Sequence, residues 1–139
     1  MRVTKQEALT AGQGMKVLAT IRMPFAAGLK VAKLRARLNT FALEFDEART
    51  IALQAAAPVD ANGDPEAVDI EQDGRKGVAY KVSATAQMRI SREIQHDLAT
   101  EVEFDDVEPL TAADFPRTVE GKPFVIEPET LAALGPFLQ

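Results

Sequence analysis

The sequence predicts a mainly helical α+β fold, in which a long helix is packed by two shorter helices beside a small antiparallel β-sheet. Three observations carry this. From Val31 to Ala55 apolar residues recur at spacings of three and four, the signature of one long helix with a heptad-like seam. Thr4-Lys5-Gln6-Glu7 is a capping box that opens an earlier helix. Short runs further on, Val68/Ile70 and Val102/Phe104, alternate with acidic residues at the period of strands, and Phe124 and Ile126 repeat the same spacing of two. The 139 residues, 46% hydrophobic and 27% charged, suit a single domain over 1–139. We read it as helical over 4–57, turn-rich or hairpin over 58–82, and helix, small sheet and terminal helix over 83–139.

The first helix is expected from Lys5 toward Thr20, with Val3 stapled against Ala8. Gly12 and Gly14 each cost it about 1 kcal/mol relative to alanine, so packing must stabilise it. Met23-Pro24 marks the next boundary, because proline disfavours the helical region in its predecessor. The second helix, from about Ala26 to Ala57, carries the seam Val31, Leu34, Leu38, Phe41, Phe45, Ala48, Ala52 and Ala55, with Phe41 and Phe45 as expected core anchors. Such a helix is about 48 Å long, against a diameter of about 37 Å for a compact chain of this length. Some of its seam therefore calls for a partner, and the small Ala48, Ala52 and Ala55 end would admit a close neighbour.

Pro58 to Lys76 reads as turns, with Asn62-Gly63 and Asp73-Gly74 as turn dipeptides. Asp60, Asn62, Asp64 and Glu66 resemble a calcium loop only superficially, since glycine falls at the fourth position and not at the sixth, which Pro65 occupies. A hairpin over 66–82 is expected, Val78, Tyr80 and Val82 returning beside Val68 and Ile70. Ser83 caps a third helix to about Ala99, its inner stripe Ala86, Ile90, Ile94 and Leu98. Strands are expected at 101–107 and 123–127, paired with each other. Pro128 opens a last helix over Glu129 to Leu134, Gly135-Pro136 stops it, and Phe137 and Leu138 are expected to pack.

Catalytic constellations are hard to find. The chain has no cysteine, which excludes disulfides, thiolate zinc sites and cysteine nucleophiles, and His96 is its one histidine. Ser83 and Ser91 lie in no nucleophile elbow, and Gly12-Gln13-Gly14 sits in a helix without the lysine of a phosphate loop. We therefore expect no enzyme, no cofactor, no metal and no small-molecule substrate. No apolar run suggests a signal peptide or a membrane span, so the chain is expected in a cytosol or built into something assembled in one. The net charge of −5 is unevenly placed: residues 1–57 hold nine Lys/Arg against four Asp/Glu, and 58–139 hold seven against seventeen. Either a basic half packs beside an acidic one, or Lys30, Lys33, Arg35 and Arg37 form a basic face. The acidic remainder opposes a nucleic-acid partner.

Three stretches, VAKLRARLNTFALEFDEART (31–50), SREIQHDLATEVEFDDVEPL (91–110) and FVIEPETLAALGPFLQ (124–139), together resemble a family of small uncharacterised proteins of tailed bacteriophages and prophages. That family shows a K-L-A-K-L-type helix running into F-E-E-A-R, then L-x-T-E-V-E-L, an x-E-P-I/L segment and a terminal L-A-A-L-x-P-F. The counterparts are Ala32-Lys33-Leu34, Phe45-Asp46-Glu47-Ala48-Arg49, Leu98 to Phe104, Glu108-Pro109-Leu110 and Ile126 to Phe137; Gly135 replaces a glutamate. The resemblance implies a phage origin, with a virion or the host cytoplasm as the expected location, and brings no catalytic residues. The expected function is a non-enzymatic structural or assembly protein that docks on other virion subunits or on itself. Ala48, Ala52, Ala55, Lys30, Lys33 and Arg37 are its candidate contacts. The alternative is an accessory protein that blocks a host enzyme or defence complex, with Glu101, Glu103 and Asp105 as an acidic face, joined by Asp106 and Glu108.

Overall fold

The computed structural model describes residues 1–139, the side chain of Val119 excepted. Four helices, α1 (Lys5–Leu18), α2 (Phe25–Ala56), α3 (Ala84–Leu98) and α4 (Pro128–Leu134), dominate it. Six short strands form three antiparallel pairs: β1 (Arg2–Thr4) with β4 (Glu101–Glu103), β2 (Ala67–Gln72) with β3 (Arg75–Tyr80), and β5 (Thr118–Val119) with β6 (Lys122–Pro123). The architecture is α+β and mainly helical, as the apolar spacing indicates. The residues fall into two compact units, Met1–Leu43 with Leu98–Gln139, and Glu44–Asp97.

In the first unit Thr4 Oγ1 accepts from the Glu7 N–H at 3.1 Å while Glu7 Oε2 accepts from the Thr4 N–H at 2.8 Å, so the capping box closes and fixes the start of α1. Ala8, Ala11, Met15 and Leu18 then recur on one face and are buried with Val3. The N-terminal half of α2 adds Val31, Leu34 and Leu38 to the same core, which Phe104, Leu110, Leu134 and Phe137 complete. At Gly14 α4 approaches α1 closely: a Cβ there would lie 3.1 Å from Leu134 Cδ2. The glycine that weakens the isolated helix is the one that admits its neighbour. The chain end is held by Leu110, whose N–H donates to the Phe137 carbonyl and whose carbonyl accepts from the Gln139 N–H, both at 2.7 Å.

The expected strand pairing is corrected here. Residues 101–103 pair with 2–4 in the register Arg2↔Glu103, Val3↔Val102, Thr4↔Glu101, and the segment near 123 pairs instead with 118–119. A second correction concerns the core. Its aromatic centre is Phe104, fully buried between Phe41 and Phe137, with ring centroids at 6.0 and 5.9 Å. Phe41 borders this core, whereas Phe45 belongs to the other unit and is half-buried.

In the second unit Asp60 Oδ1 accepts from the N–H groups of Asn62 and Asp64, so its carboxylate organises the turn. The β2–β3 hairpin turns at Asp73-Gly74, both with positive φ, as the two-residue hairpin turn requires. Gln54 Nε2 donates to the Tyr80 hydroxyl at 2.7 Å, tying α2 to the hairpin base. The Ser83 hydroxyl accepts from the Ala86 N–H at 3.2 Å at the start of α3. Along α3, Ile90 is buried and Ala86 and Ile94 are half-buried, the stripe read from the sequence, and His96 is exposed. Among the described residues no helix is long and apolar enough to cross a membrane.

Candidate functional site

The candidate contacts of α2 separate into three groups. Ala48 and Ala55 are exposed and Ala52 is half-buried, so the alanine end of the seam is incompletely covered. Lys30 and Arg37 are used within the chain. Lys30 Nζ lies 3.2 Å from Asp114 Oδ2 and 3.8 Å from Glu108 Oε2. Arg37 Nε lies 3.5 Å from Asp106 Oδ1, with its guanidinium 4.9 Å from the centre of the Phe104 ring. Lys33, by contrast, is exposed and has no ion-pair partner among the described residues. Within this unit the charge asymmetry of the sequence is thus partly spent on internal pairs.

The acidic face is engaged in the same way. Arg2 Nε reaches Glu103 Oε2 at 3.2 Å and Glu101 Oε2 at 3.7 Å, and the Met1 amine donates to Glu103 Oε1 at 3.0 Å. The Met1 amine, then Arg2, hold the Glu103 carboxyl below its ordinary value. Asp105 is exposed. Glu101 and Glu103 therefore brace the β1–β4 pair as much as they face outward.

Asp114 is the most closely held carboxylate of this network. Its Oδ2 accepts from the Thr111 N–H at 2.8 Å and from Lys30 Nζ at 3.2 Å, and its side chain is only 14% exposed. The Thr111 N–H, then Lys30, hold its carboxyl below the ordinary aspartate range against the opposing effect of burial. A lowered pKa stabilises the fold above the ordinary range, and that contribution is lost as pH falls through the lowered value. Asp114→Ala is expected to cost about 1–2 kcal/mol at neutral pH. It is also expected to flatten the acid limb of the stability curve, measured by urea unfolding at a series of pH values.

The sequence reading missed the opposite face of α2. Phe25, Leu29, Leu43 and Ile51 are 86, 45, 62 and 58% exposed, too much for core positions. With the exposed Ala32, Ala36 and polar Asn39, the first three continue the three-and-four spacing from Phe25 to Leu43, and Ile51 lies on the border of the same face. The signal was present, but the stronger seam on the inner face masked it. Having apolar residues on both sides, α2 has almost no net amphipathicity.

A second apolar surface is an open concavity of about 750 Å³ in the first unit, lined by Phe115, Phe124, Val125, Ile126, Leu131 and Leu138. The Phe115 and Phe124 rings stack there with centroids 6.0 Å apart. It offers apolar contact and, in Arg117 and Gln139, a small polar rim. Comparison of the chain with protein-family models, with curated proteins and with solved structures gives no match.

Proposed function

We propose that the chain is a non-enzymatic structural or assembly protein of a tailed bacteriophage, docking on other virion subunits through α2. The observation that carries the reading is the outward face of this 32-residue helix, where Phe25, Leu29, Leu43 and Ile51 stand in solvent. Large apolar side chains aligned along one helix face stabilise a complex when a partner removes them from water, at about 1.5–3 kcal/mol for each one fully buried. The phage resemblance of the three sequence stretches supplies the biological setting. The host-directed alternative is disfavoured because Glu101 and Glu103, its proposed recognition surface, are partly neutralised by Arg2 and the Met1 amine.

Mass spectrometry of extensively purified particles tests the reading, with copy number measured against the major capsid protein. The expected result is a fixed stoichiometric ratio. Absence from particles, with abundant chain in infected cells, would overturn it and favour the host-directed role.

A further inference from the structure

The charges of α2 lie in two blocks. Every charged residue from Phe25 to Thr40 is basic, namely Lys30, Lys33, Arg35 and Arg37, whereas Phe41 to Ala56 holds Glu44, Asp46, Glu47 and only Arg49. The first turn has no acidic residue and the last turn no basic one, so the helix dipole, which acts within the terminal turns, does not account for the segregation. Internal ion pairs account for Lys30 and Arg37. Lys33, Arg35, Glu44, Asp46 and Glu47 are all exposed and have no ion-pair partner among the described residues.

Four of these five residues flank the outward apolar stripe. At 100° per residue, Lys33 shares one flank with Glu44 and Arg35 shares the other with Asp46, while Glu47 falls in line with Leu29. Between the two blocks lies the midpoint of Asn39 and Thr40. Lys33 and Arg35 precede it by about 10 and 7 Å along the axis, and Glu44 and Asp46 follow it by about 7 and 10 Å. A second α2 laid antiparallel about that midpoint brings each basic residue opposite an acidic one on the same flank. It also sets the bulky Leu43 of one copy against the small Ala36 of the other. A parallel partner instead sets basic against basic and Leu43 against Leu43. Asn39, at the centre, faces its own copy, a position where one polar residue fixes register.

We infer that the partner of this face is a second copy of the chain, bound antiparallel through α2 about a twofold axis between Asn39 and Thr40. The inference names the partner in the docking role proposed above, and rests on that reading. An interface of this kind is self-complementary and closed, so it yields a dimer rather than a filament.

The absence of cysteine makes the test direct. On mild oxidation Asn39→Cys is expected to cross-link to itself. Ala32→Cys is expected to stay uncrosslinked alone but to link to Glu47→Cys when the two variants are mixed. Self-linking of Ala32→Cys would show a parallel pair and overturn the inference. In sedimentation equilibrium Leu43→Asp, altered at an exposed position and checked for folding by circular dichroism, should weaken the dimer by about 100-fold or more. Lys33→Glu with Arg35→Glu should weaken it by about 10-fold, and adding Glu44→Lys and Asp46→Lys to the same chain should restore it. Failure of that rescue overturns the register. A wild-type chain that stays monomeric yet is stoichiometric in particles removes this inference and leaves the assembly role. A dimer absent from particles removes the assembly role and leaves the pairing.

Discussion

Phe104→Ala is expected to destabilise the first unit by about 3–5 kcal/mol, the cost of emptying an aromatic site in a core that cannot close over it. The ring is fully buried, with Phe41 at 80° and Phe137 at 66° to it in edge-to-face contacts. Each such contact adds about 0.5–1.5 kcal/mol beyond area burial. The walls have little freedom to collapse. The Phe104 N–H donates to the Met1 carbonyl at 2.8 Å, and the turn bearing Phe137 is pinned by the Leu110 bonds. Arg37 loses the ring beneath its guanidinium as well. Phe104→Leu, which keeps much of the volume, should cost clearly less. Urea unfolding followed by circular dichroism checks both. A loss below about 1 kcal/mol for Phe104→Ala would mean that the aromatic cluster is not the centre of this core.

The second large effect lies at the contact of α1 with α4. Leu134 is fully buried, and Leu134→Ala should cost about 2–5 kcal/mol. Gly14→Leu forces a side chain into space that Leu134 and Ala133 already occupy at 3.1 to 3.4 Å from a Cβ position, and should cost about 1–3 kcal/mol or more. Gly14→Ala separates two opposing terms: helix propensity gains about 1 kcal/mol, while the new methyl crowds Leu134 Cδ2. In the wild type the sign is set by how far Leu134 can give way. In the Leu134→Ala background the crowding disappears, so the same substitution should become stabilising by about 1 kcal/mol. A double-mutant cycle by thermal or urea unfolding reads the difference. Equal effects in both backgrounds would show that α4 does not set the size of residue 14.

What the sequence makes legible is what depends on near neighbours. The Thr4/Glu7 box, the Met23-Pro24 break, the Ser83 cap and the Asp73-Gly74 turn are each settled within a few residues, and each is found where it was expected. The inner seam is legible in its N-terminal part, where Val31, Leu34 and Leu38 meet a core on all sides. Pairing is a different matter. Alternation identifies Glu101–Glu103 as a strand, but its partner, Arg2–Thr4, lies at the other end of the sequence. Nothing local distinguishes that partner from the segment near Pro123. The β5–β6 turn at Glu120-Gly121 went unread because glutamate rarely takes the positive φ it has there. The outward apolar face was hidden for another reason. A helix that is apolar on two sides presents two periodic patterns at once, and only burial tells which of them the chain itself covers.

The central claim, that the outward face of α2 is a contact surface, is tested most directly by hydroxyl-radical footprinting with mass spectrometry. The chain in purified particles is compared with the dilute isolated chain. The account predicts strong protection of Phe25, Leu29, Leu43 and Ile51 in particles, with the isolated chain labelled there in proportion to its exposure. Equal labelling of these four residues in particles and in the isolated chain would contradict it.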